Sequence, residues 1–223
     1  MSAPAADVEA IILAAGQGTR LGLGPKAFVE LAGCSLLERA VSTMLSVAAQ
    51  VSVAVRFADL RRAERLVGGP AIRIIAGGMR RIETLRALVE VASAPWLLVH
   101  DVVHPFVTSE LSQRVIDEAR RCGAAAAALP NVDFLYGTDG RPRAAPGDVV
   151  AIQKPIVFRR ADIALGFALA ERAAAGALIP DASALEILAL AGRRMTYVPG
   201  YVMNFKLTTR DDFELARRLT VQG

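Results

Sequence analysis

The chain has 223 residues, of which 53% are hydrophobic and 22% are charged, a composition that is typical of a folded globular protein and excludes a disordered one. Its net charge is only +4, and acids and bases are interleaved without a basic run that carries aromatics, so we expect no nucleic acid as a partner. No apolar stretch is long enough to cross a bilayer and acidic residues precede the first apolar run, so we expect no membrane association, no signal peptide and a cytoplasmic location.

Strand and helix patterns alternate with short loops as far as Pro130. The predicted strands are "VEAIILAAG", "QVSVAVRF", "AIRIIAG", "WLLVHD" and "AAAAALP". The predicted helices are "SLLERAVSTMLSVA", in which Ser35 and Glu38 match a capping box, "DLRRAERLV", "RRIETLRALVEVA" and "SELSQRVIDEARRCG". This alternation predicts an α/β fold, in which a Rossmann-like, doubly wound, mostly parallel sheet carries helices on both faces.

The alternation stops after Pro130. The next segment, "NVDFLYGTDGRPRAAPGDVVAIQKP", reads as a hairpin or an extended arm, which we place at about residues 131–153. Later predicted elements are the helices "VFRRADIALGFALAERAA" and "ALEILALAG", the strand "RMTYVPG" and the helix "TRDDFELARRLTV". Since the chain shows neither a linker nor a repeat, we expect residues 1–223 to form one domain with an inserted β-arm.

The stretch "ILAAGQGTRLGLGPK", residues 12–26, breaks the first strand into a glycine-rich turn. A dinucleotide fingerprint needs G-x-G-x-x-G that opens directly into a helix, and a P-loop needs G-x-x-x-x-G-K-[ST]; neither fits. The turn instead combines exposed backbone N–H groups with the cations Arg20 and Lys26, which suits a polyphosphate. In open α/β sheets ligands bind beyond the carboxyl ends of the strands. Other special residues predicted at that edge are Gly16, Gly18, Gly77, Gly78, Asp101 and His104.

Several short motifs occur in an order that resembles one family. They are "AAGQGTR", "PK", "GGMRRIETL", "VHDVVHPF", "PNVDFLY", "QKPIVF", "PDAS" and "NFKLTT". Together they resemble the 2-C-methyl-D-erythritol 4-phosphate cytidylyltransferase family of isoprenoid synthesis and its polyol-phosphate relatives, within the nucleotidyltransferase fold. The resemblance spans nearly the full length and keeps the order and approximate spacing of the motifs.

The resemblance implies that Mg²⁺-dependent CMP transfer from CTP releases pyrophosphate, and it assigns roles to individual residues. It implies nucleotide contacts at Ala14, Ala15, Gly16, Gly18, Gly77, Gly78, Arg81 and Thr84, with Thr84 where the family has Ser. It implies that Arg20, Lys26 and Lys206 are the catalytic cations and that Asp101 and Asn204 are metal ligands. It also implies a homodimer formed through the arm.

The residues that correspond to the acceptor side differ from the family pattern. His104 stands where the family has Arg, Phe134 and Tyr136 replace Thr and Lys, and Lys154 replaces Thr. A histidine that is mostly neutral does not reproduce the bidentate grip of Arg on a phosphate, whereas Lys154 adds a cation. We therefore expect an anionic acceptor, a phosphate or a phosphonate other than methylerythritol phosphate. The expected acceptor-binding residues are His104, Asp133, Phe134 and Lys154.

Three other interpretations remain open from the sequence. Met203, where relatives often carry an acid, favours a nucleotide-binding protein without turnover. The second interpretation is a nucleotidyltransferase that uses UTP or GTP with a sugar phosphate. The choice of base depends largely on backbone contacts, which a sequence does not show. A dehydrogenase with a Rossmann fold is disfavoured, because the third, helix-opening glycine is missing and because Pro25 and Lys26 are present.

Overall fold

The computed structural model describes residues 3–173 and 182–221. Its strands are β1 (Ala5–Leu13), β2 (Glu30–Leu31), β3 (Cys34–Ser35), β4 (Ala48–Val55), β5 (Ile72–Ala76), β6 (Trp96–Asp101), β7 (Ala124–Pro130), β8 (Leu135–Tyr136), β9 (Pro142–Ala144), β10 (Val150–Arg159) and β11 (Thr196–Pro199). Seven of these form one sheet in the order β11-β7-β10-β6-β1-β4-β5. All neighbours in it are parallel except β10, which is antiparallel to both β6 and β7. The α/β, mostly parallel architecture is therefore the one that the sequence predicts.

The described residues contain seven α-helices, which pack on the sheet or close to it. They are α1 (Leu36–Leu45), α2 (Leu60–Val67), α3 (Arg81–Val91), α4 (Ser109–Cys122), α5 (Arg160–Ala173), α6 (Ala184–Leu190) and α7 (Arg210–Val221). The predicted capping box is confirmed, because the Ser35 hydroxyl accepts from Glu38 N and the Glu38 carboxylate accepts from Ser35 N. Among the described residues, none of these helices combines the length and apolar character that a membrane span requires.

The hydrophobic core lies in two layers, one on each face of the sheet. Successive residues of a strand point to opposite faces. Accordingly Ile12 packs into the cluster that holds α1 and α4, whereas Ile11 and Leu13 pack into the cluster that holds α3 and α5. Every one of these three side chains is at most 8% exposed. Helices on both faces bury the central strands completely, which explains why their sequences are continuous apolar runs.

The sequence interpretation was wrong about strand β10. It extended the arm to residue 153 and began a helix at Val157, but the chain stays extended from Val150 to Arg159 and helix α5 starts at Arg160. Pairing partners of β10 come from β6 and β7, which are distant in sequence, so the local pattern of residues does not reveal them. The arm itself is the short hairpin of β8 and β9.

Strand β10 begins directly after the arm, and its first residues lie at the carboxyl edge of the sheet. Leu13 of β1 pairs with Asp101 of β6, so the parallel strands end side by side. In β10 Ile156 pairs with Val99 in the antiparallel sense, and continuing that register places Lys154 level with Asp101. The register between β10 and β7 shifts between Ile152 and Ile156, so the pairing of these two strands is irregular beside Lys154.

Candidate active site

The loop after β1 is a tight turn that only glycine allows at its centre. Gly18 has a φ of +73°, and a Cβ at that position would lie 2.0 Å from the carbonyl oxygen of Gly24. The backbone N–H groups of Leu21 and Gly22 both donate to the carbonyl oxygen of Gly18. Glycine is required here for its left-handed conformation and for the close approach of two backbone segments. Gly16, an exposed residue before this turn, leaves the loop surface open to a ligand.

Three cations gather around this loop. The Lys26 ammonium donates a 3.0 Å hydrogen bond to the carbonyl oxygen of Leu207, in the segment between β11 and α7. Burial lowers the pKa of Lys26, and repulsion from Arg20 and Lys206 lowers it further, although Asp212 acts in the opposite direction. Arg20 and Lys206 are exposed. Cations beside the backbone of a glycine-rich loop suit the oxygens of a triphosphate.

A second turn, Gly77-Gly78, approaches the glycine loop from the end of β5. A Cβ on Gly77 would lie 2.7 Å from Ala15 Cβ and 3.0 Å from Thr84 Oγ1, so any larger residue would push these walls apart. The buried Thr84 hydroxyl accepts a 3.1 Å hydrogen bond from Gly78 N, which fastens the turn to the first turn of α3. Ala14 follows β1 directly and donates its backbone N–H to Ala54. The two turns are therefore in contact at Gly77 and Ala15, and the nucleotide-binding role of their residues stays a prediction.

Asp101 ends β6 as a buried carboxylate. It is 4% exposed, and both of its oxygens accept hydrogen bonds of 3.0 Å from the same guanidinium nitrogen of Arg81. Burial opposes ionisation of Asp101, but the charges of Lys154 and Arg81 and the Arg81 hydrogen bonds outweigh it and hold the pKa of this carboxyl well below its usual range. Asp101 is therefore ionised at neutral pH, and Arg81, predicted as a nucleotide contact, is also its counter-ion.

Lys154, Asn204 and His104 form a connected group beside Asp101. The Asn204 amide nitrogen donates a 2.6 Å hydrogen bond to the Lys154 carbonyl oxygen, and Nδ1 of His104 lies 3.1 Å from the Asn204 carbonyl oxygen. Lys154 is 7% exposed, and burial lowers its pKa to about 8. Sequence reasoning missed Gln153, whose side-chain amide donates to the carbonyl oxygens of Tyr201 and Asn204 and thereby supports the same group.

The two histidines of the chain are both buried and neutral. His104 is 5% exposed, and burial lowers its pKa to about 4 despite the opposing charge of Asp101. His100 is completely buried on β6, and burial together with His104 lowers its pKa to about 3. His104 therefore serves as a hydrogen-bonding group near neutral pH and does not replace the charge of an arginine.

The expected metal ligands supply two oxygen donors. Within residues 3–173 and 182–221 there is no group of three His, Cys, Asp or Glu side chains that could hold a metal ion. Asp101 offers a carboxylate that Arg81 already engages, and the buried Asn204 Oδ1 has no hydrogen-bond partner in the described part of the chain. Mg²⁺ usually binds one or two protein oxygens together with phosphates and water. The two residues supply the oxygen atoms that Mg²⁺ prefers, and their role as metal ligands stays a prediction.

The structure does not join Asp133 and Phe134 to this site within one chain. Both lie on the arm, where Asp133 N donates to Asn131 and the Phe134 side chain is 69% exposed. Neither makes a hydrogen bond to Asp101 or Lys154, and their acceptor-binding role stays a prediction. Two residues of the "PDAS" motif, Pro180 and Asp181, lie outside the described residues.

The chain is similar to known proteins over nearly its whole length. The profile of the family described as 2-C-methyl-D-erythritol 4-phosphate cytidylyltransferase matches residues 8–221. The protein of that name from Deinococcus radiodurans is 40% identical over 214 residues, which cover 95% of this chain and 88% of the relative. The one from Thermus thermophilus is 37% identical over 216 residues, which cover 96% of this chain and 97% of the relative. The crystal structure of the Thermus thermophilus protein has a TM-score of 0.79 and 30% identity over 95% of this chain and 98% of that one.

Proposed function

The chain belongs to the 2-C-methyl-D-erythritol 4-phosphate cytidylyltransferase family, and from its site we propose that it transfers CMP from CTP to a small acceptor that bears a phosphate or a phosphonate. The members of this family are nucleotidyltransferases, and the chain is one of them. The observation that carries the proposal is the hydrogen bond from Lys26 to Leu207, which brings the segment that contains Lys206 to the glycine loop that contains Arg20. Such a set of cations neutralises the charge that develops when pyrophosphate leaves.

In the proposed reaction an oxygen of the acceptor attacks the α-phosphorus of CTP in line with the leaving pyrophosphate. Arg20 and Lys26 bind the triphosphate, and Lys206 binds the α-phosphate, where the attacking oxygen adds negative charge. A phosphate or phosphonate oxygen is already an anion, so the step needs no general base. Consistently, both histidines are buried and neutral, and neither is placed to accept a proton.

The nucleoside part of CTP is assigned to the cleft between the two glycine turns. Ala14, Ala15 and Gly16 lie on one side of it, and Gly77 and Thr84 lie on the other. Gly77 lies so close to Ala15 that not even a methyl group would fit between them, so the two turns form one joined surface against which we place the base. We propose cytosine, the base named in the family, in preference to uracil or guanine.

We propose Mg²⁺ as the metal, held by Asp101 and the Asn204 side-chain oxygen together with the triphosphate. When bound, the ion would offset charge on the phosphate oxygens and help pyrophosphate to leave. Arg81 would share Asp101 with the ion or move toward the nucleotide, for which its half-exposed side chain leaves room.

The acceptor is assigned to the side of the site that holds His104 and Lys154. The relatives carry methylerythritol phosphate in their names. Our expectation of a different acceptor rests on residues such as His104 and Lys154 and stays a prediction, as does a cytoplasmic location. We propose that the arm pairs with a second copy of the chain, because the exposed side chains of Val132, Phe134 and Tyr136 form an apolar surface on it.

The test is pyrophosphate release in the presence of Mg²⁺ with each of the four nucleoside triphosphates. Methylerythritol phosphate, other polyol phosphates, sugar phosphates and small phosphonates serve as acceptors. We expect release with CTP and at least one phosphorylated acceptor, and none when Mg²⁺ is chelated. Release with UTP or GTP alone would contradict the choice of base. CTP binding without release across the whole panel would favour a nucleotide-binding protein without turnover.

A further inference from the structure

Helix α4 contacts the segment between β11 and α7 that carries Asn204 and Lys206. The guanidinium of Arg114 donates a 3.0 Å hydrogen bond to the carbonyl oxygen of Pro199, the last residue of β11. The same guanidinium lies over the ring of Tyr201, with 5.2 Å between its carbon Cζ and the centre of the ring. A cation is attracted to the face of an aromatic ring, and arginine makes this contact while its N–H groups remain available as donors. Arg114 therefore holds the chain at two points that lie two residues apart.

Glu110 completes the contact between α4 and Tyr201. Its carboxylate accepts a long hydrogen bond of 3.5 Å from the Tyr201 hydroxyl. Glu110 and Arg114 are four residues apart, so both side chains lie on the same face of the helix. The Tyr201 ring therefore lies along one turn of α4, with its face on the cation and its hydroxyl at the carboxylate.

Strand β10 holds the backbone of Tyr201. The side-chain amide of Gln153 accepts a 3.2 Å hydrogen bond from Tyr201 N and donates one of 2.9 Å to Tyr201 O. The preceding residue must be small, because a Cβ on Gly200 would lie 2.2 Å from the Gln153 side-chain oxygen. Tyr201 is thus fixed by its side chain on α4 and by its backbone on β10.

The position of Tyr201 determines that of Asn204. The backbone N–H of Asn204 donates a 2.9 Å hydrogen bond to the Tyr201 carbonyl oxygen, which closes a turn. Val202 and Met203, inside this turn, are 76% and 47% exposed and so contribute little packing that would hold it. Asn204 is completely buried, and Lys206 follows two residues later. A shift of Tyr201 would therefore move the backbone that carries the groups we place at the metal ion and at the α-phosphate.

Arg114 is a poor choice for stability alone. Its Nε is buried without a hydrogen-bond partner in the part of the chain that the structure describes. An N–H group that is buried without a partner costs stability, and an apolar side chain of similar length would avoid that cost. Local rules of this kind are broken most often where a residue serves function.

We propose that Arg114 is a positioning residue for the transfer reaction, which acts through Tyr201 to hold Asn204 and Lys206 in place. The inference rests on the proposed function and adds to it a residue that acts through other residues. Lys206 is assigned to the α-phosphate, where negative charge develops in the transition state. A displaced Lys206 should therefore slow the chemical step more than it weakens the binding of either substrate.

The first test separates kcat from KM in the assay of pyrophosphate release. Arg114→Met should lower kcat at least about tenfold, since a displacement of about 1 Å costs a catalytic group up to about 100-fold. The KM values for CTP and for the acceptor that the assay identifies should stay within about threefold. Arg114→Lys keeps a cation and a donor and should recover most of the lost kcat. An unchanged kcat in Arg114→Met would overturn the inference.

Arg121→Met is the matched control for this test. Arg121 is an exposed residue of the same helix, and its guanidinium pairs with Glu118 on the helix surface. Its loss should change kcat by less than about twofold, because an exposed ion pair contributes little. An equal loss of kcat in Arg121→Met and Arg114→Met would show a general effect of charge on α4 and would overturn the inference.

The second test asks whether Arg114 acts through Tyr201. Tyr201→Leu should lower kcat by itself, and the double variant with Arg114→Met should lose no more than the larger single loss, within about twofold, because both changes remove one contact. Tyr201→Phe keeps the ring and removes only the long hydrogen bond to Glu110, so its kcat should stay within about twofold of the wild type. Losses that multiply in the double variant would contradict the route through Tyr201.

A third measurement needs no turnover. Hydrogen exchange followed by mass spectrometry should show faster exchange in Arg114→Met for peptides that contain the Asn204 amide, because the turn from Tyr201 opens more readily. Peptides from β1 should exchange at the wild-type rate. Unchanged exchange at Asn204, or faster exchange throughout the fold as a purely structural role would give, would overturn the inference. Faster exchange at Asn204 alone, with no pyrophosphate release by the wild type from any pair of substrates, would instead refute the proposed function and leave the contact between Arg114 and Tyr201 standing.

Discussion

The ammonium of Lys26 and the carbonyl oxygen of Leu207 are joined by a 3.0 Å hydrogen bond across 181 positions of the sequence. It connects the first loop of the sheet to the segment between β11 and α7 that carries Lys206. The same segment is held from the other end, because Asp212 accepts hydrogen bonds from the backbone of Thr208 and Thr209. These contacts hold the backbone that carries Lys206 beside the Lys26 ammonium.

Replacing Lys26 by alanine removes both a charge and this connection. We predict that Lys26→Ala loses most of its affinity for CTP, by about 100-fold or more, because a charge-assisted contact is lost and Lys206 is no longer held beside the loop. Titration calorimetry with CTP measures the effect. Arg65→Ala, which removes an exposed charge from α2, is the control and should bind like the wild type. Unchanged CTP affinity in Lys26→Ala would mean that the triphosphate lies elsewhere.

The hydroxyl of Thr84 gives a second prediction about the nucleotide cleft. Thr84→Val keeps the shape but removes the acceptor for Gly78 N, so the Gly77-Gly78 turn should loosen and the KM for CTP should rise about tenfold. Thr84→Ser keeps the hydroxyl and is the matched control, with an expected change of less than about threefold. The contrast is read from steady-state kinetics at saturating acceptor. A Thr84→Val variant with the same KM for CTP as the wild type would contradict the role of this hydrogen bond.

Local chemistry explains which parts of this protein could be predicted from sequence. The Ser35 capping box and the helix end at Gly123, which has a φ of 99°, depend on neighbours within a few residues. The buried runs such as "WLLVHD" depend only on both faces of a strand being covered, and the predicted bounds are those of β6. From these local features the fold class could be predicted, and so could the position of the glycine loop at the carboxyl edge of the sheet.

Contacts between distant segments explain what the sequence did not reveal. Strand β10 is recognised only by its pairing with β6 and β7, and without it Lys154 was placed just after the arm and not in the sheet. The hydrogen bonds of Gln153 to Tyr201 and of Lys26 to Leu207 likewise join residues far apart in the chain. The ion pair between Arg81 and Asp101 was also not predicted, because Arg81 had been assigned to the nucleotide and Asp101 to the metal ion.

The arm leads to a prediction about assembly. Val132, Phe134 and Tyr136 are between 64% and 73% exposed, and a second copy of the chain would bury them. We predict a dimer at micromolar concentration in analytical ultracentrifugation, and a monomer for Phe134→Asp, because a carboxylate in an apolar contact is poorly tolerated. Leu165→Asp, at an exposed apolar residue of α5, is the control and should stay dimeric. A monomeric wild-type protein would refute the arm as an interface.

The buried histidines make the stability of the fold depend on pH. In the unfolded chain a histidine titrates near pH 6.5, whereas in the fold burial lowers the pKa of His104 to about 4 and that of His100 to about 3. Below about pH 6.5 the unfolded state therefore binds more protons than the folded state. The contribution of the two histidines to the free energy of unfolding is fully present above that pH and is lost as the pH falls. The slope should approach about 1.4 kcal/mol per pH unit for each histidine. Urea unfolding between about pH 7 and pH 5, above the range in which most carboxyls titrate, measures it.

The variant His100→Phe separates this effect from other causes of acid sensitivity. Both ring nitrogens of His100 are buried without a hydrogen-bond partner in the described part of the chain, so an apolar ring of similar shape should keep or raise the stability at neutral pH. The chain has only two histidines, and the variant should therefore lose about half of the pH slope. His104 would supply the remaining half, since its own burial is unchanged. An identical slope in the wild type and His100→Phe would show that the buried imidazole is not the group that titrates on unfolding.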